Sequence, residues 1–248
     1  VICQPQSKLV HYEGVTSGTD TGLGTKSFQI INQSKFREKW SKQLSTHSSP
    51  SSPADVGALR HQSKHALVID HCTPTPDQDA GSVTIFNIII LLVQSGYSVT
   101  FIPEDNFIQM HPYTSDLQRW GVNVLYSPFC SSVNEHLRQY GDRYELAFVI
   151  RPNVAKKHLE SIHTYAPNAK IVYHTIDLHF LRMERKAELS QQIEDTLAAN
   201  EMKELEIGVI KKVDAAIVHS TNEYELLSKL IDVKNLWVYP LILDIRGT

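Results

Sequence analysis

From residue 64 onward, short apolar runs alternate with segments of helical length, and this alternation limits the fold more than any other feature. The first run, Ala66-Leu67-Val68-Ile69, is continuous and is followed by a loop rich in proline, aspartate and glycine. A continuous apolar run bounded by turn residues is typical of a strand buried on both faces. Repeated strand-then-helix units predict a parallel sheet with helices on both faces, joined by right-handed crossovers.

Seven runs are predicted to be strands, and six segments between them are predicted to be helices. The predicted strands are 66–70, 98–102, 123–126, 146–150, 170–174, 215–219 and 236–239, and the predicted helices are 82–95, 114–120, 133–140, 154–165, 181–212 and 222–230. Gly96, Gly121 and Pro167 fall at predicted helix ends, where caps and stops belong. The sequence therefore predicts an α/β fold with a Rossmann-like, doubly wound parallel sheet.

Composition excludes some classes of protein. The chain has 248 residues, enough for one or two domains, and 24 basic against 27 acidic residues give a net charge of −3. A nucleic-acid binder usually shows a basic excess, so that class is disfavoured. The three cysteines are far apart and form no disulfide framework, which fits a reducing cytoplasm. The longest apolar stretch, 85–93, is too short to cross a bilayer.

The first 63 residues have a different character. We expect a strand near 7–12, a loop over 13–25, and a short amphipathic helix over 34–44 with Phe36 and Trp40 on one face. Such a segment buries too little to stand alone, so 1–44 should pack poorly. Residues 45–63 are rich in Ser and Pro and are predicted to be a mobile, semi-extended linker.

Polar residues at the predicted strand ends mark a candidate site, because ligands of open parallel sheets bind at the carboxyl ends of strands. The loop after the first strand carries Asp77, Asp79, Gly81 and Ser82, and Arg151 follows the fourth strand. Ser82 can cap the following helix, and Gly81 allows a ligand to approach the backbone. The alternative is that these loop residues form only a turn and a cap.

The densest polar cluster, 173–182, follows the fifth predicted strand. His174 and His179 are too far apart to share a helix face, and no third ligand stands at metal spacing, so zinc is disfavoured. Asp177 can orient a histidine or accept a proton, and Arg182 can face a phosphate. Either histidine can instead be a hydrogen-bonded loop residue that closes a strand end.

Three N-terminal segments resemble the end of a family 2 (GT-A) glycosyltransferase domain: Val10-His11-Tyr12-Glu13-Gly14, Ser17-Gly18-Thr19-Asp20 and 32–40. The resemblance implies that 1–44 is the tail of such a domain and that His11 contacts a nucleotide-bound Mn²⁺ or Mg²⁺, since neutral imidazole suits these ions. His11 can equally be a plain strand-end histidine. Residues 1–44 contain no Asp-x-Asp metal motif, which that family carries elsewhere in its domain.

Residues 64–240 resemble the N-terminal, acceptor-binding lobe of a family 4 GT-B glycosyltransferase. The matching pieces are 74–82, 99–103, Arg151-Pro152, 173–182 and 216–223. The resemblance implies no cofactor for this lobe, a hinge that begins at 241–248, and a donor-binding lobe beyond it. The family's usual Gly-Gly turn is Asp-Ala-Gly-Ser here, and Ile176-Asp177 stands where many members have His-Asp.

These resemblances imply a piece of a bacterial enzyme of surface-polysaccharide synthesis, in the cytoplasm or at the inner face of the membrane. It would move a sugar from a nucleotide sugar to a glycan or lipid-linked acceptor, and residues 1–248 alone would be inactive. The alternative is a non-catalytic module that binds a glycan or a partner. A dehydrogenase or epimerase is disfavoured because no GxGxxG is present. The expected catalytic residues are Asp177, His179 and His174, and the expected substrate-binding residues are Asp77, Asp79, Gly81, Ser82, Arg151 and Arg182.

Overall fold

The computed structural model describes residues 8–12, 14–15, 18–47, 49, 51, 64–105, 107–232 and 234–240. Contacts between Cα atoms divide the chain into two units, Val1–Ser63 and Lys64–Thr248. Most of the expected linker, and the whole of the expected hinge at 241–248, lie outside the described residues.

The first unit is a short helical segment. A 3-10 turn, Gly24–Lys26, leads into α1 (Ser27–Lys39) and α2 (Ser41–Leu44). Residues 8–12 form no strand, so the prediction of a strand there was wrong; a strand needs a ladder partner, and these residues have none in the described part of the unit. No side chain of α1 is buried, although Phe36 and Trp40 stack at a centroid distance of 6.3 Å.

The second unit contains a seven-stranded, entirely parallel sheet. Its strands are β1 (His65–Asp70), β2 (Ser98–Pro103), β3 (Asn123–Val124), β4 (Leu146–Ile150), β5 (Lys170–His174), β6 (Ala215–Val218) and β7 (Leu236–Val238). Their order in the sheet is 3-2-1-4-5-6-7. The prediction of an α/β, Rossmann-like doubly wound fold is confirmed.

Helices fill the connections between the strands. They are α3 (Ala80–Gln94), α4 (Tyr113–Arg119), α5 (Val133–Tyr140), α6 (Pro152–Tyr165), α7 (His179–Ser190), α8 (Ile193–Ile210) and α9 (Thr221–Ser228), with a 3-10 turn at Gly141–Arg143. The single long helix predicted over 181–212 is in fact two helices, because Gln191 adopts a left-handed conformation with φ 53° and ends α7.

The core lies on both faces of the sheet, because alternate residues of each strand point in opposite directions. In β1, Leu67 and Ile69 join a cluster that includes α5, α6, α8 and α9. Ala66 and Val68 join a second cluster that includes α3 and α4. Burial on both faces explains why β1 is a continuous apolar run.

Candidate functional site

The strand order places a crevice between the carboxyl ends of β1 and β4. These two strands are neighbours, but α3 follows β1 on one face of the sheet and α6 follows β4 on the other. Connections that leave in opposite directions open the sheet edge at that point, and open α/β sheets bind ligands there. The crevice is therefore the first place to look for a site.

A buried ion pair forms the floor of the crevice. Asp70 ends β1 with 2% of its side chain exposed, and the Nε of Arg151 donates to its Oδ1 at 2.9 Å. Burial raises the pKa of Asp70 above its ordinary value, even though Arg151 and the amide of His71 favour the carboxylate. Burial also opposes the charge on Arg151, but Asp70 outweighs it and the pKa of Arg151 is raised. Arg151 thus stays cationic.

The outer part of Arg151 is available to a ligand. Its side chain is 27% exposed, and its Nη atoms have no protein hydrogen-bond partner among the described residues. Its backbone has a positive φ of 74°, a conformation that is rare and strained for a residue other than glycine. The nearby Ile176 also has a positive φ, 65°. An anionic group entering the crevice would meet the free end of the Arg151 guanidinium.

The loop after β1 is organised by Asp79. Its carboxylate accepts from the backbone N–H of Ser82 at 2.8 Å and from the Ser82 hydroxyl at 2.6 Å, and so caps α3. Partial burial by itself would raise the pKa of Asp79. The hydrogen bonds from Ser82 and the positive charge of Arg151 outweigh it, so the pKa is lowered. The expectation that Ser82 itself caps the helix was wrong, because the carboxylate three residues earlier takes both of its donors.

Gly81 brings this loop against the segment after β5. A Cβ built on Gly81 would lie 3.2 Å from Cγ2 of Ile176, 3.1 Å from Oδ1 of Asp79 and 4.0 Å from Nη2 of Arg151. Loops roughly a hundred positions apart thus meet at one edge, as a parallel sheet requires. The contact runs through Ile176. Gly81 is therefore needed for close approach between two parts of the protein itself.

His179 is held so that one ring nitrogen remains open. Its Nδ1 lies 3.0 Å from the backbone oxygen of Asp177, which can only accept, so the ring proton is on Nδ1. Two carboxylate oxygens also face this nitrogen, Oδ1 of Asp177 at 3.6 Å and Oε1 of Glu206 at 3.5 Å. Nε2 has no partner among the described residues and is not fully enclosed. An imidazole held in this way can accept a proton at Nε2.

Arg182 lies beside this histidine and not in the crevice itself. Its Nη1 pairs with Oδ2 of Asp177 at 2.9 Å, and the two side chains are 64% and 39% exposed. The pair compensates the charge of Asp177 at the surface. The expected phosphate contact of Arg182 therefore competes with an existing ion pair.

His174 is placed below the surface. It is fully buried, and its Nδ1 accepts from the backbone N–H of Ile176 at 3.1 Å. Burial, then the neighbouring His219 and Arg151, lower the pKa of His174 to about 3. A neutral, enclosed ring that supports the Ile176 turn is not a group that a substrate reaches.

The remaining expected residues lie further out. Asp77 is exposed and accepts from the hydroxyl of Tyr113, whose oxygen accepts from Gln78 Nε2 at 2.8 Å. His11 is exposed and lies outside any helix or strand. Over the described parts of the chain, no group of three or more His, Cys, Asp or Glu is placed to hold a metal ion. The cation contact expected for His11 stays a prediction.

A surface groove elsewhere lacks the chemistry of the crevice. It measures about 640 Å³ and lies between α6 and α8, lined among others by Lys156, Glu160, His163 and Lys212. Its lining comes from α6, α8 and the turn after α8, and no strand end contributes to it. We assign the candidate site to the crevice, where buried and strained groups converge.

Comparison with known proteins adds no assignment. No protein-family model matches the chain, and no curated protein matches its sequence. In the described part of the chain, none of the helices combines the length and the apolar character that a membrane crossing needs. The fold and the groups in the crevice are therefore the basis for assigning a function.

Proposed function

We propose that residues 64–240 form the acceptor-binding lobe of a glycosyltransferase that acts on a glycan or lipid-linked acceptor. The observation that carries the proposal is the open Nε2 of His179, next to a segment that contacts the Arg151 crevice through Ile176 and Gly81. Glycosyl transfer needs a group that takes the proton of the attacking hydroxyl and a cation for the departing diphosphate. His179 and Arg151 are suited to these two roles.

Four residues take part in the proposed sugar transfer. His179 accepts the proton of the acceptor hydroxyl at Nε2, and Asp177 orients the ring through Nδ1–H. Arg151 pairs with the anionic end of the donor or acceptor, while Asp70 holds its Nε. The nucleotide sugar itself would bind mainly to a second lobe, as the resemblance to GT-B enzymes implies. Use of a nucleotide sugar favours the cytoplasm, with the inner face of the membrane as the place where a lipid-linked acceptor is found.

Binding is tested first on the chain as it stands. Residues 1–248 are screened on a microarray of bacterial surface oligosaccharides, and the bound sugar is titrated into isotope-labelled protein. We expect backbone NMR shifts at Gly81, Arg151 and His179, and weaker binding by Arg151→Met. His163→Gln, on the outer face of α6, is the matched control and should bind like the native chain. Absence of binding on the array, or shifts confined to the groove between α6 and α8, would contradict the proposal.

Catalysis is tested in the full-length protein with UDP-sugars and the same oligosaccharides. His179→Gln should reduce transfer by about 10²- to 10⁴-fold, the usual value of a general base, whereas His163→Gln should not. If transfer is found and His179→Gln leaves it unchanged, His179 is not the base. If the glycan binds in the crevice but the full-length protein transfers no sugar, the chain is a glycan-binding module and not part of a transferase.

A further inference from the structure

Glu206 is a buried carboxylate below the start of α7. It belongs to α8, none of its surface is exposed, and its oxygens accept from the backbone N–H groups of His179 at 3.2 Å and Phe180 at 2.8 Å. The first N–H groups of a helix lack partners within the helix and carry partial positive charge. The carboxylate of Glu206 therefore occupies the start of α7.

No permanent cation neutralises this carboxylate among the described residues. Its only ion-pair partner there is the Nδ1 of His179, at 3.5 Å. The hydroxyl of the fully buried Tyr173 donates to Oε1 at 3.4 Å from the other side. A buried charge is costly unless it is hydrogen-bonded or paired. The imidazole of His179 is therefore the group nearest to Glu206 that can carry a compensating positive charge.

The neighbouring Asp177 is a weaker source of negative charge for the ring. It is 39% exposed, and its Oδ2 is already bound by Arg182 at 2.9 Å. Water screens exposed ion pairs, so they contribute little, whereas a buried charge at the same distance acts more strongly. Of the two carboxylates that face Nδ1, Glu206 is the one able to stabilise a positive ring.

We propose that Glu206, supported by Tyr173, is the positioning residue that faces the Nδ1–H of His179 and stabilises the imidazolium formed during transfer. The inference rests on the proposed function. The acceptor O–H bond breaks and its proton goes to Nε2 of His179. The oxygen forms a bond to the anomeric carbon of the donor, and the nucleotide diphosphate leaves with the electron pair of its C–O bond.

The tautomer is measured on residues 1–248 by long-range ¹⁵N NMR of the histidine rings. In the native chain, His179 should show one neutral tautomer, with the proton on Nδ1. Glu206→Gln removes the charge that faces Nδ1, while the Asp177 oxygen still holds the Nδ1–H tautomer. In the same spectra, Nε2 of the variant should therefore take up its proton at a lower pH than in the native chain. Glu184→Gln is the matched control, because Glu184 also joins α7 to α8, through Lys203 at 2.8 Å, without touching His179.

Two results would overturn the inference. A native His179 ring protonated on Nε2 refutes it without any variant, so a failure of Glu206→Gln to fold does not protect it. A folded Glu206→Gln chain whose His179 ring is protonated at the same pH as in the native chain refutes it as well. Circular dichroism and the urea midpoint establish folding in each variant.

The proposed function and this inference fail separately. In the full-length protein, Glu206→Gln should slow transfer at least about tenfold, while Glu184→Gln should stay within about twofold. If His179→Gln abolishes transfer but Glu206→Gln behaves like Glu184→Gln, the positioning role is wrong and the transferase stands. If the protonation of His179 responds to Glu206 but no transfer is found, the transferase is wrong.

Discussion

Two buried histidines make the protein sensitive to acid. His158, on α6, is 4% exposed, and neither ring nitrogen has a hydrogen-bond partner among the described residues. Burial, then the nearby charge of Lys157, lower the pKa of His158 to about 4. Its Nε2 lies 3.4 Å from Oε1 of Glu104, but Lys157 already pairs with that carboxylate. His174 is buried and neutral in the same way.

The free energy of unfolding should therefore fall as the solution is acidified. The folded pKa of each histidine lies below the ordinary value of 6.5, so the unfolded chain takes up protons first. The contribution of the two neutral rings to the free energy of unfolding is complete above pH 6.5. It is lost as the pH falls from there towards the folded pKa values, at about 1.4 kcal/mol per pH unit for each ring. Urea unfolding from about pH 7 to about pH 5 measures the slope.

Replacing one ring separates this effect from general acid denaturation. His158→Leu should reduce the dependence of the free energy of unfolding on pH by the amount that one proton contributes, because leucine takes up no proton on unfolding. The exposed His163, on the same helix, serves as control, and His163→Gln should leave the slope unchanged. Equal slopes for native protein and His158→Leu would show that His158 is not buried neutral.

At the scale of single residues, the rule that ligand groups follow strand ends located most of the candidate site from the sequence. Asp79, Arg151 and His179 all lie at the carboxyl edge. Glu206 was missed because it lies in the middle of a helix, where a glutamate usually faces solvent. Only the tertiary packing of α8 under the start of α7 shows its role, and no local pattern carries that information.

Among the elements, the start of α3 packs closely against the residues around it. Gly81→Val should destabilise the protein by about 1–3 kcal/mol, the usual cost of overpacking, since the added Cβ would lie 3.1–3.2 Å from Asp79 and Ile176. Gly208→Ala, in α8, should instead stabilise by about 0.5–1 kcal/mol, because its Cβ meets no atom within 4 Å. Urea midpoints of both variants test the contrast. Equal effects at both glycines would mean that the Ile176 contact is absent in solution.

Strands were easier to predict than helix ends. The runs 146–150 and 170–174 coincide with β4 and β5, because each has an apolar centre. The break between α7 and α8 was missed since Gln191 and Gln192 carry no glycine or proline signal. A left-handed glutamine is uncommon, and here the tight packing of the two helices holds it.

For the whole molecule, alternation of strands and helices was sufficient to predict the fold class. The strand order 3-2-1-4-5-6-7 was not in the sequence, because it depends on which face each crossover takes. The two units also differ in how they are held together. The second unit has two extensive buried clusters, while α1 and α2 of the first unit contain no buried residue.

Hydrogen exchange should show this difference directly. Amides of α1 and α2 should exchange with little protection, because helices without tertiary packing are marginal in water. Amides of β1 and β4, at the centre of the sheet, should exchange only with global unfolding. Mass spectrometry of deuterated peptides resolves the two groups. Strong protection throughout 27–44 would mean that these helices pack against a surface that the described residues do not reveal.

The two outermost strands are the shortest of the sheet. β3 has two residues and β7 has three, against six in β1 and β2. An exposed sheet edge offers unpaired backbone groups to other chains and can start aggregation, and short edges offer few of them. β7 also carries Trp237 at 63% exposure and Val238 at 38%. Aggregation by strand pairing in concentrated solutions would therefore begin at β7, while β3 is too short to support it.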